Sequence, residues 1–238
     1  MSEKNEKLTA EDPSYYDEHY FVKGDKKIVD KNTGQEKVWG YQGTDWSGHF
    51  YIVQGILHVF NGEIGSFLDV GAGQGSCTDY ALRAGLRAKG YDFSKWAVEH
   101  PLNYAKEHLH LGSAVDIKEE DDSWDIIYCS DMVEHIKQSD IFKVLDEFHR
   151  VTRKWVFLQW PVCNTEESFN FEEADETHPM YSHFMIAGHL NMQTRNWWNK
   201  LFEDKGFIIR DDLVKPFREI VPPAILTNWL NFTFLEKK

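Results

Sequence analysis

The chain has 238 residues, with 26 Lys and Arg against 39 Asp and Glu, a formal charge of −13. That surplus of acid argues against a polyanion or an anionic membrane as the main partner, so a nucleic-acid substrate is disfavoured. With 42% hydrophobic and 27% charged residues, the composition is that of a globular chain able to bury one core.

Residues 1–13 are strongly charged, end at Pro13 and read as frayed, without the apolar stretch of a signal peptide. No segment approaches a membrane span. Cys77, Cys129 and Cys163 are odd in number and widely spaced, and supply neither a disulfide framework nor a C-x-x-C metal site. A reducing cytoplasm fits these features. The run Tyr15-Tyr16-Asp17-Glu18-His19-Tyr20-Phe21 is dense in aromatics, and Asp30 to Gly34 read as a hairpin turn between Ile28-Val29 and Val38-Trp39. Residues 1–44 are read as an arm that either packs for stability or serves as a lid, ahead of one domain over 45–238. Asp45 is placed as the N-cap of a helix from Trp46 to Phe60, whose apolar positions Phe50, Val53, Leu57 and Phe60 recur at helical spacing. His49 and His58 are read there as surface or packing residues.

Residues 66–76, Ser-Phe-Leu-Asp-Val-Gly-Ala-Gly-Gln-Gly-Ser, organise the rest. Phe67, Leu68 and Val70 suit a short buried strand. Gly71, Gly73 and Gly75 follow, and bare backbone lets a ligand lie close. Ser76 to Ala84 then read as a helix whose first N–H groups face the same space. Strand, glycine turn and helix form the nucleotide-binding corner of an open α/β sheet, with ligands beyond the carboxyl ends of the strands. The third glycine comes one residue too early for the dinucleotide pattern G-x-G-x-x-G, and no Lys-Ser/Thr follows to make a P-loop.

Asp69-x-Gly-x-Gly-x-Gly resembles the first motif of the class I S-adenosylmethionine-dependent methyltransferases. The resemblance implies a Rossmann-like, doubly wound, mostly parallel sheet of seven strands, the last antiparallel. It also implies S-adenosyl-L-methionine as cofactor, held by Asp69, Gly71, Ala72, Gly73 and Gly75. Arg87 to Tyr91 read as the second strand, ending at Asp92, where such folds place a carboxylate for ribose hydroxyls; Phe93 beside it offers a wall for the adenine. Ser94 is a good cap for a helix carrying Trp96, Val98, Tyr104 and Leu109, with Pro101 as a kink. Ser113 to Val115 are read as the third strand, ending in Asp116-Ile117. The resemblance gives Asp116 the adenine amino group, and Ile117 beside it joins the cofactor set.

Trp124 to Cys129 read as the fourth strand. Its end, Ser130-Asp131-Met132-Val133-Glu134-His135-Ile136, borders the ligand cleft in any such sheet and is similar to the acidic-x-x-Glu-His segment of many small-molecule methyltransferases. Ser130 and Met132 join the cofactor set. A helix starting near Asp131 would put Asp131, Glu134 and His135 on one face. His135 then reads as a general base for a hydroxyl acceptor, with Asp131 or another acid orienting it and His189 as a further candidate. Resemblance to the ubiquinone-biosynthesis O-methyltransferases and the small-RNA 2′-O-methyltransferases raises a divalent metal on the same segment. The alternative is helix capping with a packed histidine.

Ser139 is placed as the cap of a helix with Ile141, Phe142, Leu145 and Phe148 inward, Trp155 to Trp160 as the fifth strand, and residues 163–193 as a connection shaping the acceptor pocket. Cys163, just past the fifth strand, is the remaining candidate nucleophile, without an assigned partner. Thr194 caps a helix stopped by Gly206; Phe207 to Ile209 and Asn228 to Leu235 are the last two strands. The expected activity is methyl transfer to oxygen or nitrogen of a small molecule. The competing classes are a cofactor-binding protein without turnover, a nicotinamide dehydrogenase and a nucleic-acid methyltransferase. Oligomeric state is not legible.

Overall fold

The computed structural model describes residues 12–29, 36–39, 47–162, 169–170, 189–223, 225 and 230–238. Asp45, Trp46, Cys163, the turn at 30–34 and most of the connection after the fifth strand lie outside them.

The first strand of the central sheet is β3, Ser66–Val70, after a hairpin formed by β1, Lys26–Val29, and β2, Glu36–Trp39. β4 (Arg87–Asp92), β5 (Leu109–Leu111), β6 (Trp124–Ser130) and β7 (Thr152–Pro161) follow. β8 (Phe169–Asn170) and β9 (Asn191–Met192) pair with each other, and β10 (Phe207–Ile209) and β11 (Leu230–Lys237) complete the sheet. Its order is β10-β11-β7-β6-β3-β4-β5. β3 pairs in parallel with β4 and β6, while β11 runs antiparallel to β7 and β10. This is the doubly wound, mostly parallel seven-stranded arrangement expected, and the chain reverses its winding beside β3.

The period of two along each strand assigns its side chains to opposite faces. Ile126 and Tyr128 of β6, with Trp155 and Phe157 of β7, pack on one face. Helices α1 (Ser47–Phe60), α2 (Ser76–Arg83) and α6 (Val214–Ile220) cover it through Ile52, Val53, Ile56, Ala81 and Phe217. Ile127, Cys129, Val156, Leu158 and Trp160 face the other way, against α4 (Gln138–Val151) and α5 (Arg195–Asp204). Gly55 lets α1 and α6 approach closely: a Cβ there would stand 2.7 Å from Val221 and 2.8 Å from Phe217.

Five expectations need correction. The buried stripe of α1 is Ile52, Val53, Ile56 and Phe60; Phe50 is exposed and Leu57 half-buried. Phe142 likewise faces solvent at 40% exposure, and Val144 takes the inward place. The helix after Ser94 is short, α3 from Lys95 to Glu99, because the residue before Pro101 is disfavoured in helical backbone. A 3₁₀ turn, Asn103–Glu107, then leads into the third sheet strand, which is Leu109–Leu111 and not Ser113 to Val115. Leu109 is drawn to the sheet edge because Gly90 and Gly75 leave room for its side chain. Ser113 to Asp116 instead close a turn at the cleft. Finally, α4 starts at Gln138 with Lys137 at the N-cap position, so Ser139 lies inside the first turn.

Two caps are as expected. Thr194 accepts from the Trp197 amide at 3.2 Å and Ser94 Oγ from the Ala97 amide at 3.1 Å.

Candidate active site

The loop after β3 is set by local chemistry. Asp69 is buried, and its Oδ2 accepts from the Thr78 amide at 3.0 Å and from Thr78 Oγ1 at 2.8 Å. The carboxylate thus ties the strand to the first turn of α2. Burial raises its pKa to about 7, against the lowering effect of those bonds. Gly71, Gly73 and Gly75 all have positive φ, and the need for glycine is plainest at Gly71, where a Cβ would stand 2.6 Å from Met132. At Gly73 a Cβ would face the cleft and meet Phe21 at 3.3 Å.

Asp92 ends β4 facing this loop. Its Oδ2 accepts from the Gly73 amide at 2.7 Å and its Oδ1 from the Ser94 amide at 2.7 Å. Burial raises its pKa to about 6, while those bonds favour the ionised form. Phe93 lies beside it, and Gly112 to Val115 form the facing wall. Asp116 is not on that wall: it is exposed and paired with Lys118, and Ile117 is buried in the core. The Asp116 side chain is thus outside the cavity lining, among the described residues.

These groups line one cavity of about 500 Å³. Asp69, Gly71, Ala72, Gly73, Asp92 and Phe93 line it together with Ser130, Asp131, Met132 and His135. Gly75 does not line it; a Cβ there would strike Ala105 at 2.7 Å, so this glycine serves packing. Asp131 lies in left-handed backbone, φ 49°, with its amide bonded to the Gln159 carbonyl of β7 at 2.9 Å. The helix expected from Asp131 is replaced by a 3₁₀ turn, Val133–His135, because Asp131 is held in the left-handed region and bonded to the neighbouring strand. Burial raises the pKa of Glu134 well above the carboxylate range, and the nearby charge of Asp131 adds to it.

His135 Nε2 lies 3.9 Å from Glu134 Oε1, and the His135 and His189 rings are 5.1 Å apart, edge to face. Glu134, His135 and His189 offer three donor atoms within 4.8 Å of one another, a set chemically suited to a divalent ion. Asp131, the first acid of the segment for which a metal was expected, is not in that set.

The cavity has walls that sequence reasoning missed or left general. Tyr16, Tyr20 and Phe21 of the arm roof it. The arm is held by Ser94 Oγ donating to the Tyr16 carbonyl at 2.6 Å, and by Phe21 stacked on Trp96 at 5.8 Å. His49 is a correction: read as surface or packing, it lines the cavity, and burial lowers its pKa to about 4, so it is neutral. Tyr128, Lys137, Asp140 and Leu190 also line it. The aromatic density at 15–21 was a signal for the roof; nothing in the spacing of α1 marked His49.

A profile of the methyltransferase domain matches residues 49–211, well over half of the chain. The chain belongs to the class I S-adenosylmethionine-dependent methyltransferases. The methyltransferase resembles the YcgJ protein of Bacillus subtilis at 18% identity and TM-score 0.52, covering 80% of this chain and 99% of that one. It resembles magnesium protoporphyrin IX methyltransferase of Synechocystis, a structure with bound S-adenosylhomocysteine, at 14% identity and TM-score 0.55, covering 80% and 84%. It also resembles the [4+2]-cyclase SpnF at 14% identity and TM-score 0.55, covering 79% and 80%. At such identities the likeness establishes the fold alone, and the cyclase illustrates that this fold hosts other chemistry. A search of curated proteins returned no match. Among the described residues, no helix of this methyltransferase is long and apolar enough to cross a membrane.

Proposed function

We propose that this methyltransferase moves the methyl group of S-adenosylmethionine to an oxygen or nitrogen of a small molecule. The observation that carries this is that Gly73, Asp92 and His135 line one and the same cavity. Its volume of about 500 Å³ falls in the range of small-ligand sites.

The fit to the cofactor rests on two features. The backbone at Gly73 faces the cleft with no side chain in the way, and the Asp92 carboxylate is fixed by two amides with lone pairs left for ribose hydroxyls. When bound, S-adenosylmethionine supplies a methyl group already activated by its sulfonium. The chain's residues then have three tasks. The glycine loop and Asp92 hold the nucleoside. The arm roof, Tyr16, Tyr20 and Phe21, excludes water, which is the lid role proposed for the arm. His135 takes the proton of a hydroxyl acceptor as the oxygen attacks.

Among the described residues, four carboxyl groups, Asp69, Asp92, Asp131 and Asp140, line the cavity against one ammonium, Lys137. That balance suits a neutral or cationic acceptor and repels an anionic one.

The test has two parts. Calorimetry should register binding of S-adenosylmethionine and no binding of NADH. Release of S-adenosylhomocysteine across a panel of phenols, alcohols and amines should identify the acceptor; tight cofactor binding with no turnover on any of them would favour a non-catalytic binding protein. The compact Glu134, His135 and His189 set favours one second reading, in which a divalent ion polarises the acceptor oxygen.

A further inference from the structure

The arm is seated mainly on one short stretch of chain. Tyr15, Tyr16, Tyr20 and Phe21 form a buried cluster with Ala97 and Leu190, against which Phe93 and Trp96 pack. The Tyr16 and Phe93 rings are 5.1 Å apart, and Phe21 stacks on Trp96 at 5.8 Å. Phe93, Trp96 and Ala97 all lie within five residues of Asp92, the carboxylate read as the ribose acceptor.

Ser94 is the polar joint of that stretch. It is fully buried, and each of its hydrogen-bonding groups is committed. Its amide donates to Asp92 Oδ1 at 2.7 Å, and its carbonyl accepts from the Val98 amide at 3.2 Å. Its Oγ accepts from the Ala97 amide at 3.1 Å. A hydroxyl has one proton, and the Ala97 bond uses a lone pair, which leaves the Ser94 proton to the Tyr16 carbonyl, 2.6 Å away. One residue thus holds the carboxylate through its backbone and the arm through its side chain. Hydrogen bonds linked in this way inside a low-dielectric interior strengthen one another. A ligand on Asp92 steadies Ser94 from one side, and a seated arm steadies it from the other.

We propose that Ser94 is a positioning residue that couples occupation of Asp92 to seating of the arm, so that cofactor binding and closure of the roof are one linked event. This rests on the cofactor part of the reading above. Such coupling is reciprocal: the factor by which the ligand favours the seated arm is the factor by which the seated arm favours the ligand.

Amide hydrogen exchange of residues 15–21, with and without saturating S-adenosylhomocysteine, reads the coupling. In the unaltered protein the ligand should slow that exchange roughly tenfold, within the usual span for coupled sites. Ser94→Gly keeps the amide that holds Asp92 and places a residue tolerated at an N-cap, but has no hydroxyl for Tyr16. It should still bind the ligand, more weakly, and exchange in its arm should no longer respond to it. Tyr15→Leu tests the reverse direction with Ser94 intact. Tyr15 does not line the cavity, yet loosening the arm there should weaken S-adenosylhomocysteine binding roughly fivefold. Three results would overturn the assignment and leave Ser94 as a helix cap: binding without slower arm exchange in the unaltered protein, protection that persists in Ser94→Gly, or faster arm exchange in Tyr15→Leu at unchanged affinity. If S-adenosylhomocysteine does not bind the unaltered protein at all, the cofactor reading itself fails.

Discussion

The Gly73 amide donates to Oδ2 of Asp92 at 2.7 Å, tying the glycine loop to the end of the neighbouring strand. The Ser94 amide holds the other oxygen at the same distance. The carboxylate is thus aimed before any ligand arrives, and its orientation and the shape of the loop depend on each other. Preorganisation of this kind removes an ordering penalty from binding.

Asp92→Ala should weaken binding of S-adenosylhomocysteine by about 1–3 kcal/mol, from loss of charge-assisted hydrogen bonds. Calorimetry at pH 7.5 measures it directly. An unaltered dissociation constant would reduce Asp92 to a support for the loop.

The pH dependence of binding and of stability should have opposite signs. Burial raises Asp92 to about 6 and Asp69 to about 7. The ribose hydroxyls need the ionised Asp92, so affinity for S-adenosylhomocysteine should hold above pH 6 and fall below it, approaching tenfold per unit. For the ligand-free protein, both groups bind protons more tightly folded than unfolded. Their contribution is full below the unfolded pKa, about 4, and is lost as pH rises through 6 to 7. Thermal melts of the ligand-free protein should therefore be higher at pH 5 than at pH 8. A melt that rises with pH over that range would contradict the burial of these carboxylates.

Gly73→Val and Gly71→Ala should separate binding from folding. At Gly73, φ 54°, the new side chain enters the cleft toward Phe21. The left-handed backbone costs about 1–2 kcal/mol, and cofactor binding should be abolished while the fold survives. At Gly71, φ 82°, a methyl group would collide with Met132 at 2.6 Å, so the loss should appear mainly in the melting temperature. Retained binding by Gly73→Val would remove the loop from the cofactor site.

His135→Gln should lower turnover roughly 10²–10⁴-fold on a hydroxyl acceptor, with the affinity for S-adenosylhomocysteine within twofold of the original. Under the general-base reading, exhaustive chelation leaves the rate unchanged. Loss of rate on chelation, its return with a divalent cation, and failure of that rescue in His189→Ala would move the function of the cluster to metal binding.

Thr194→Ala removes the oxygen that accepts the Trp197 amide and should cost about 1 kcal/mol of stability by denaturant titration. Activity at low temperature should persist, because α5 packs on the sheet through Trp198, Leu201 and Phe202, away from the cavity.

The amino-acid sequence by itself determined the β3–glycine loop–α2 corner, the strand-end carboxylate at Asp92, the caps at Ser94 and Thr194, and the positions of the strands β6 and β7. Each of these is a local signal: a period of two, a side-chain oxygen three residues from an amide, or a glycine where the backbone turns left-handed. Tertiary structure alone decided where the third strand lies, since Leu109–Leu111 becomes a strand only by pairing with Gly90–Asp92. It also decided the turn at Asp131, whose amide is taken by Gln159 of a neighbouring strand, and with it the removal of the expected helical face. It exposed Asp116, and it brought Tyr16 and His49 to the cavity. The bond between Ser94 and Tyr16 spans 78 residues, and no local pattern encodes a contact of that range, because the wall of a cavity is set by which distant segments pack together.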